Sequence, residues 1–102
     1  MDECSSDPAI TSDEPYKVTP TFTQATLPDA LRKAHSTKAG VWGVIRVLEG
    51  RVDYVIESAG TRRVLHPQAP GLVKPEELHH VEPLGTVRMR VEFHRAFPAE
   101  LA

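Results

Sequence analysis

Residues 40–57 read GVWGVIRVLEGRVDYVIE, and this stretch decides the fold. Its first part, Gly40 to Leu48, is β-branched and aromatic, which predicts a strand. Glu49-Gly50 predicts a tight turn, with Gly50 supplying the positive φ that such turns require. The chain then returns along Arg51–Glu57, where Val52, Tyr54 and Ile56 alternate with Arg51, Asp53, Val55 and Glu57. A period of two puts one set on each face of a sheet.

Outward from this centre the same pattern repeats. Ser58–Thr61 predicts a second turn, and Arg62–His66 a strand that pairs back. Leu72–Lys74 and Leu78–Glu82 are short strand segments, each stopped by a proline, Pro75 and Pro83. Thr86–His94 alternates most cleanly, with Val87, Met89, Val91 and Phe93 on one face and Arg88, Arg90, Glu92 and His94 on the other. Tyr16–Thr19 reads as an edge strand limited by Pro20. Leu27–His35 is the one credible helix, of one or two turns: Pro28 suits its first turn, Asp29 its positive end, and Arg32 and Lys33 its negative end. Six or seven short strands with turns every eight to twelve residues define an all-β, antiparallel sandwich or barrel.

Composition sets the limits. At 102 residues the chain is one domain, and 40% hydrophobic content is enough for a small core. A single cysteine, Cys4, excludes an internal disulfide, a zinc ribbon and a dithiol redox motif. No apolar run approaches the roughly 20 residues of a membrane span, and the acidic start lacks the basic and apolar regions of a signal peptide, so the expected compartment is the cytoplasm. Residues 1–15 are acidic, polar and proline-bearing, and are expected to form a flexible, disordered tail ahead of a domain at 16–102. The 12 Lys and Arg all lie beyond that tail and are interleaved with acids, which argues against a nucleic-acid track.

Five histidines are the residues most able to carry chemistry. None has a tight ligand spacing such as HxH or HExxH, so any site must be assembled from separate strands. His79 and His80 are adjacent and must point to opposite faces of their strand, so one turns inward and needs a partner for its ring nitrogens. Glu92 is an ion-pair member beside Arg90 if its face is outside, and a ligand or base if that face lines a pocket. Trp42 is either core or pocket wall. No Ser-His-Asp signature and no Gly-rich phosphate loop is present.

LPDALRKAHSTKAGVWGVIRVLEGRVDY (27–54), PGLVKPEELHHVEPLG (70–85) and VRMRVEFHR (87–95) resemble the small TehB/YeaR-like domain family, which is associated with tellurite resistance. The resemblance runs from about Pro20 to Arg95. It implies a cupin-type fold, a conical antiparallel jelly-roll barrel with a small pocket at its mouth. Matched to the cupin motifs, His79 takes the place of the second-motif histidine and His35 falls near the first-motif pair, while Lys38 and Gly43 stand where a second histidine and a glutamate would be. The metal set implied is His35, His79 and Glu92, completed by Glu82 or water, and would suit Fe, Zn, Mn or Ni. Lys38, Trp42, Tyr54 and Arg90 are the ligand-binding candidates.

The expected function is a small cytoplasmic cupin-like protein that binds a divalent metal, or a small anion or other small molecule, in a tellurite or oxidative and nitrosative stress response. A metal-dependent dioxygenase or isomerase and a non-catalytic sensor or scaffold are the alternatives. The exposed sheet edges of so small a barrel lead to the expectation of a homodimer, with neither nucleic acid nor membrane as partner.

Overall fold

The computed structural model of the protein describes residues 15–98. The acidic tail expected at 1–15 lies, apart from Pro15, outside the described residues. Eight strands are formed: β1 (Lys17–Val18), β2 (Phe22–Thr23), β3 (Trp42–Glu49), β4 (Val52–Ile56), β5 (Thr61–Leu65), β6 (Gly71–Val73), β7 (His79–Pro83) and β8 (Arg88–His94). They make two antiparallel sheets. The first runs β1-β8-β3-β6, with β2 also paired to β8, and the second runs β5-β4-β7. The all-β, antiparallel expectation therefore holds. Among the described residues no strand pairs into both sheets, so they do not close into the expected conical barrel.

The reason lies at Gly50. The sequence reads Glu49-Gly50 as the turn of a hairpin, but β3 pairs with β6 and β8, whereas β4 pairs with β5 and β7. The turn is a corner that carries the chain from one sheet into the other. Gly50 has φ +82°, and a side-chain carbon there would overlap the Thr86 carbonyl. Only glycine meets both constraints. The register between β3 and β8 also shifts between Val47 and Glu49, a bulge that bends β3 as it enters the corner.

Alternation then sorts the side chains. Ile45 and Val47 of β3, Met89 and Val91 of β8, Val73 of β6, Val52 and Tyr54 of β4, Leu65 of β5 and Val81 of β7 form one buried cluster between the sheets. Their β-branched side chains suit the pleated surface and fill the space between the layers. The outer face of the first sheet is also partly covered. Val44, the cross-strand partner of both Glu92 and Leu72, is fully buried, and the Trp42 ring meets Phe97 edge-on at 5.0 Å. His94, beside them, is buried with no hydrogen bond to either ring nitrogen.

The helix expected at Leu27–His35 shrinks to one 3-10 turn, Asp29–Arg32. No side chain caps it, and Lys33 is already extended. So few residues cannot offset the cost of nucleating an α-helix, so the segment is set by packing, with Leu27 buried and Leu31 partly buried against the core.

Replacing Gly50 with alanine is expected to destabilise the domain by roughly 2–4 kcal/mol, because the new methyl group meets backbone rather than a movable side chain. Urea unfolding checks this, and an unchanged midpoint would show that the corner can relax.

Candidate functional site: a cavity between the sheets

Between the two sheets lies a cavity of about 330 Å³. Its walls come from the inward positions of three strands of the first sheet, Gly43 and Ile45, Val73, and Met89, Val91 and Phe93, and from His79 and Val81 of the second. Leu31 and residues 35–38 cover one side, and Lys17 and Lys38, both exposed, stand at the rim. Gly43 matters by being small. A side-chain carbon there would lie 3.2 Å from Val73 Cβ and intrude on this space.

The polar end of the cavity is built by backbone pairing. His35 N–H donates to the His79 carbonyl at 3.0 Å, and His79 N–H donates to the His35 carbonyl at 2.9 Å. This mutual pair is an antiparallel bridge that brings the residue after the 3-10 turn onto the edge of β7. The two rings consequently sit 4.2 Å apart, centre to centre. Tyr54 lies behind them, its ring edge-on to His79 at 5.8 Å. Each imidazole is anchored through Nδ1, to the Lys33 carbonyl at 3.1 Å for His35 and to the Glu77 carbonyl at 2.8 Å for His79. Burial holds His79 below the ordinary histidine range, although its bond to the Glu77 carbonyl pulls the other way.

Of the residues singled out from the sequence, the structure brings His35 and His79 together and adds Lys38 at the rim. Glu82 is on the opposite face of β7, paired with Arg32 through two contacts of 3.2 Å. Glu92 and Arg90 are on the outer face of β8, because Met89, Val91 and Phe93 take the inward positions. Glu92 is bonded there to Arg46 at 3.1 Å and Arg90 at 2.9 Å. Trp42 is likewise outward, against Phe97. Tyr54 is core, and its hydroxyl donates to the Leu72 carbonyl at 2.7 Å. His80 faces away from His79, with Nδ1 2.6 Å from Glu57 Oε2. Sequence reasoning passed over the apolar walls. The inward set of β8 was visible in the alternation, but nothing local showed that Gly43 would leave space beside it.

These contacts bear on metal binding. Among the described residues no group of three or more His, Cys, Asp and Glu side chains could hold a metal ion. The two carboxylates that would complete the set are committed to arginines on other faces.

The chain is thus an antiparallel two-sheet β-domain that encloses a mostly apolar cavity with a histidine pair at one end. Residues 17–91 match the TehB-like domain, and the chain belongs to that family. It is 34% identical over 74 residues to the probable S-adenosyl-L-methionine-dependent methyltransferase TehB of Haemophilus influenzae strain 10810, and equally to that of strain Rd. The match takes in 68% of this chain but 26% of the relative, so the chain spans about a quarter of the relative's length. The crystal structure of TehB from H. influenzae superposes with a TM-score of 0.71 at 28% identity, over 78% of this chain and 30% of that one. A crystal structure of an Escherichia coli K12 protein gives the same TM-score at 20% identity, covering 86% of this chain and 93% of that one, which is a likeness of fold.

The expectation of a metal-binding cupin jelly roll, with a divalent ion as cofactor, is thereby overturned. The relatives are named as methyltransferases that use S-adenosylmethionine, and the donor set for a metal is not assembled. No helix of the described residues is long and apolar enough to cross a membrane.

Burial opposes the charged form of Glu92, but the two guanidiniums outweigh it and hold the carboxyl below its usual range. A depressed carboxyl stabilises the fold fully above its unfolded pKa, about 4.3, and the contribution fades as pH falls through the folded value. Glu92→Gln is therefore expected to cost about 1–3 kcal/mol at pH 7 and much less at pH 3. Urea titrations at both pH values check it, and an equal gap at each would mean that charge is not the cause.

Proposed function

We propose that this chain is a binding domain for a small, uncharged, largely apolar molecule, acting on the acceptor side of S-adenosylmethionine-dependent methyl transfer. The observation that carries this reading is the cavity: mostly apolar walls, a histidine pair among its few polar groups, and room for a small molecule only. Membership of the TehB-like family and the methyltransferase name of its relatives support the link to methyl transfer.

S-adenosylmethionine itself does not suit these residues. It carries a positive sulfonium, an ammonium and a carboxylate, for a net positive charge, and two ribose hydroxyls. None of the cavity-lining residues is Asp or Glu, and the charged side chains present are Lys17 and Lys38. Like charge at the rim and an apolar interior both disfavour a cation. Nor is there, among the described residues, a strand followed by a Gly-rich loop and a helix, the usual means of cradling a nucleotide-like cofactor. In this reading the cofactor is held by the part of the relatives that lies beyond the matched quarter, and this domain holds the other reactant. Its unit is the stretch from Tyr16 onward.

Nuclear magnetic resonance of the Met89 methyl group tests the proposal, since Met89 lines the cavity. Toluene is expected to shift that signal saturably, and S-adenosylmethionine at millimolar concentration to leave it in place. A saturable shift with S-adenosylmethionine, or none with toluene, would overturn the reading.

A further inference from the structure

The two histidines fix more than the position of the polar end. A carbonyl oxygen can only accept a hydrogen bond, so the contacts of Nδ1 with the Lys33 and Glu77 carbonyls place the proton of each neutral ring on Nδ1. Both Nε2 atoms are then acceptors, and among the described residues neither has a hydrogen-bond partner. The backbone bridge between His35 and His79 holds the two rings at 4.2 Å, on the wall of the same cavity. His79 as a whole is 3% exposed, and it lines the cavity.

We infer that the cavity selects molecules by a hydrogen-bond donor: its ligand has an apolar body and one neutral X–H end, of the phenol, thiol or N–H kind, donated to the Nε2 atoms of His35 and His79. This deepens the reading of the cavity as a small-molecule site and rests on it. The same arrangement works against a ligand that arrives with an acceptor. A carboxylate or another anion at this end would face two lone pairs with no proton between. Lys17 and Lys38 would attract such an anion to the rim, but they are exposed and solvent screens them. An acceptor facing other acceptors loses its hydrogen bonds to water with nothing in return, so the histidine end decides. Burial also keeps His79 in its neutral form near pH 7, the form with a free lone pair.

Titrating the intact chain with toluene and with 4-methylphenol separates the possibilities, because the two probes differ by one hydroxyl. Both should bind, with 4-methylphenol roughly tenfold tighter. In His79→Phe, which keeps an aromatic ring and removes the acceptor, the preference should fall to about twofold or less. Equal affinity for the two probes in the natural chain would overturn the donor rule and leave the small-molecule reading standing. Binding of neither would overturn both. Nitrogen-15 spectra of the histidine side chains provide a check that needs no variant. The expected pattern is a protonated Nδ1 and an unprotonated Nε2 in both rings, with Nε2 of at least one moving as 4-methylphenol is added. A proton on Nε2 of both rings would overturn the inference even if His79→Phe failed to fold.

Discussion

A phenol crossing between two sheets sets where everything else can be. Tyr54 leaves β4, passes through the apolar interior and donates to the Leu72 carbonyl of β6 at 2.7 Å. Burial raises its pKa far above neutrality, so it is a donor under all ordinary conditions. Gly71 makes the approach possible, since a side-chain carbon there would lie 2.7 Å from Leu65 Cδ1 and 3.2 Å from Tyr54 Cδ2. The bond ties the two layers together at this point. A net gain of about 1 kcal/mol is the usual worth of such a bond. Its larger effect is on geometry, because an unbonded hydroxyl at that depth would cost more than the bond contributes.

Strand alternation divides the molecule into two chemical regions that share β3 and β8. Inward positions make a largely apolar chamber with the His35–His79 pair at one end. Outward positions hold the charge, with Glu92 between Arg46 and Arg90. The two guanidiniums on one carboxylate keep the outer face from placing an uncompensated buried charge near the chamber. A one-residue slip of β8 would exchange the two sets, so the buried ion cluster and the apolar walls fix the same register from opposite sides.

Much of this was legible in the sequence. The alternation from Val87 to His94 gave β8 and its two faces, and the adjacency of His79 and His80 required one of them to turn inward. The apolar set of β8 marked its core face, but a pocket lined by the charged set stayed open in the sequence, because alternation does not say on which side of a sheet a cavity lies. That ambiguity let Glu92 and Arg90 look like site residues. Glu49-Gly50 looked like a hairpin turn because a hairpin and a corner between sheets ask the same thing of a residue, a positive φ. Only the Thr86 carbonyl, 36 positions along the chain from Gly50, distinguishes the two. β2 was missed because two residues flanked by proline and polar side chains have no periodicity to detect. The metal expectation failed for a related reason. Residue types at family-like positions say nothing about whether Glu82 has already been taken by Arg32.

The gap between the sheets has a kinetic meaning. In a closed barrel, widening the interior means breaking a ladder of backbone hydrogen bonds, and a trapped molecule leaves slowly. Here the two layers share no ladder among the described residues. Parting them disturbs the Tyr54–Leu72 hydrogen bond and dispersion contacts between apolar surfaces, the latter each worth only about 0.1–0.2 kcal/mol per atom pair. Under the proposed reading, the residence of an occupant is set by fit at the polar end and not by the unzipping of strands.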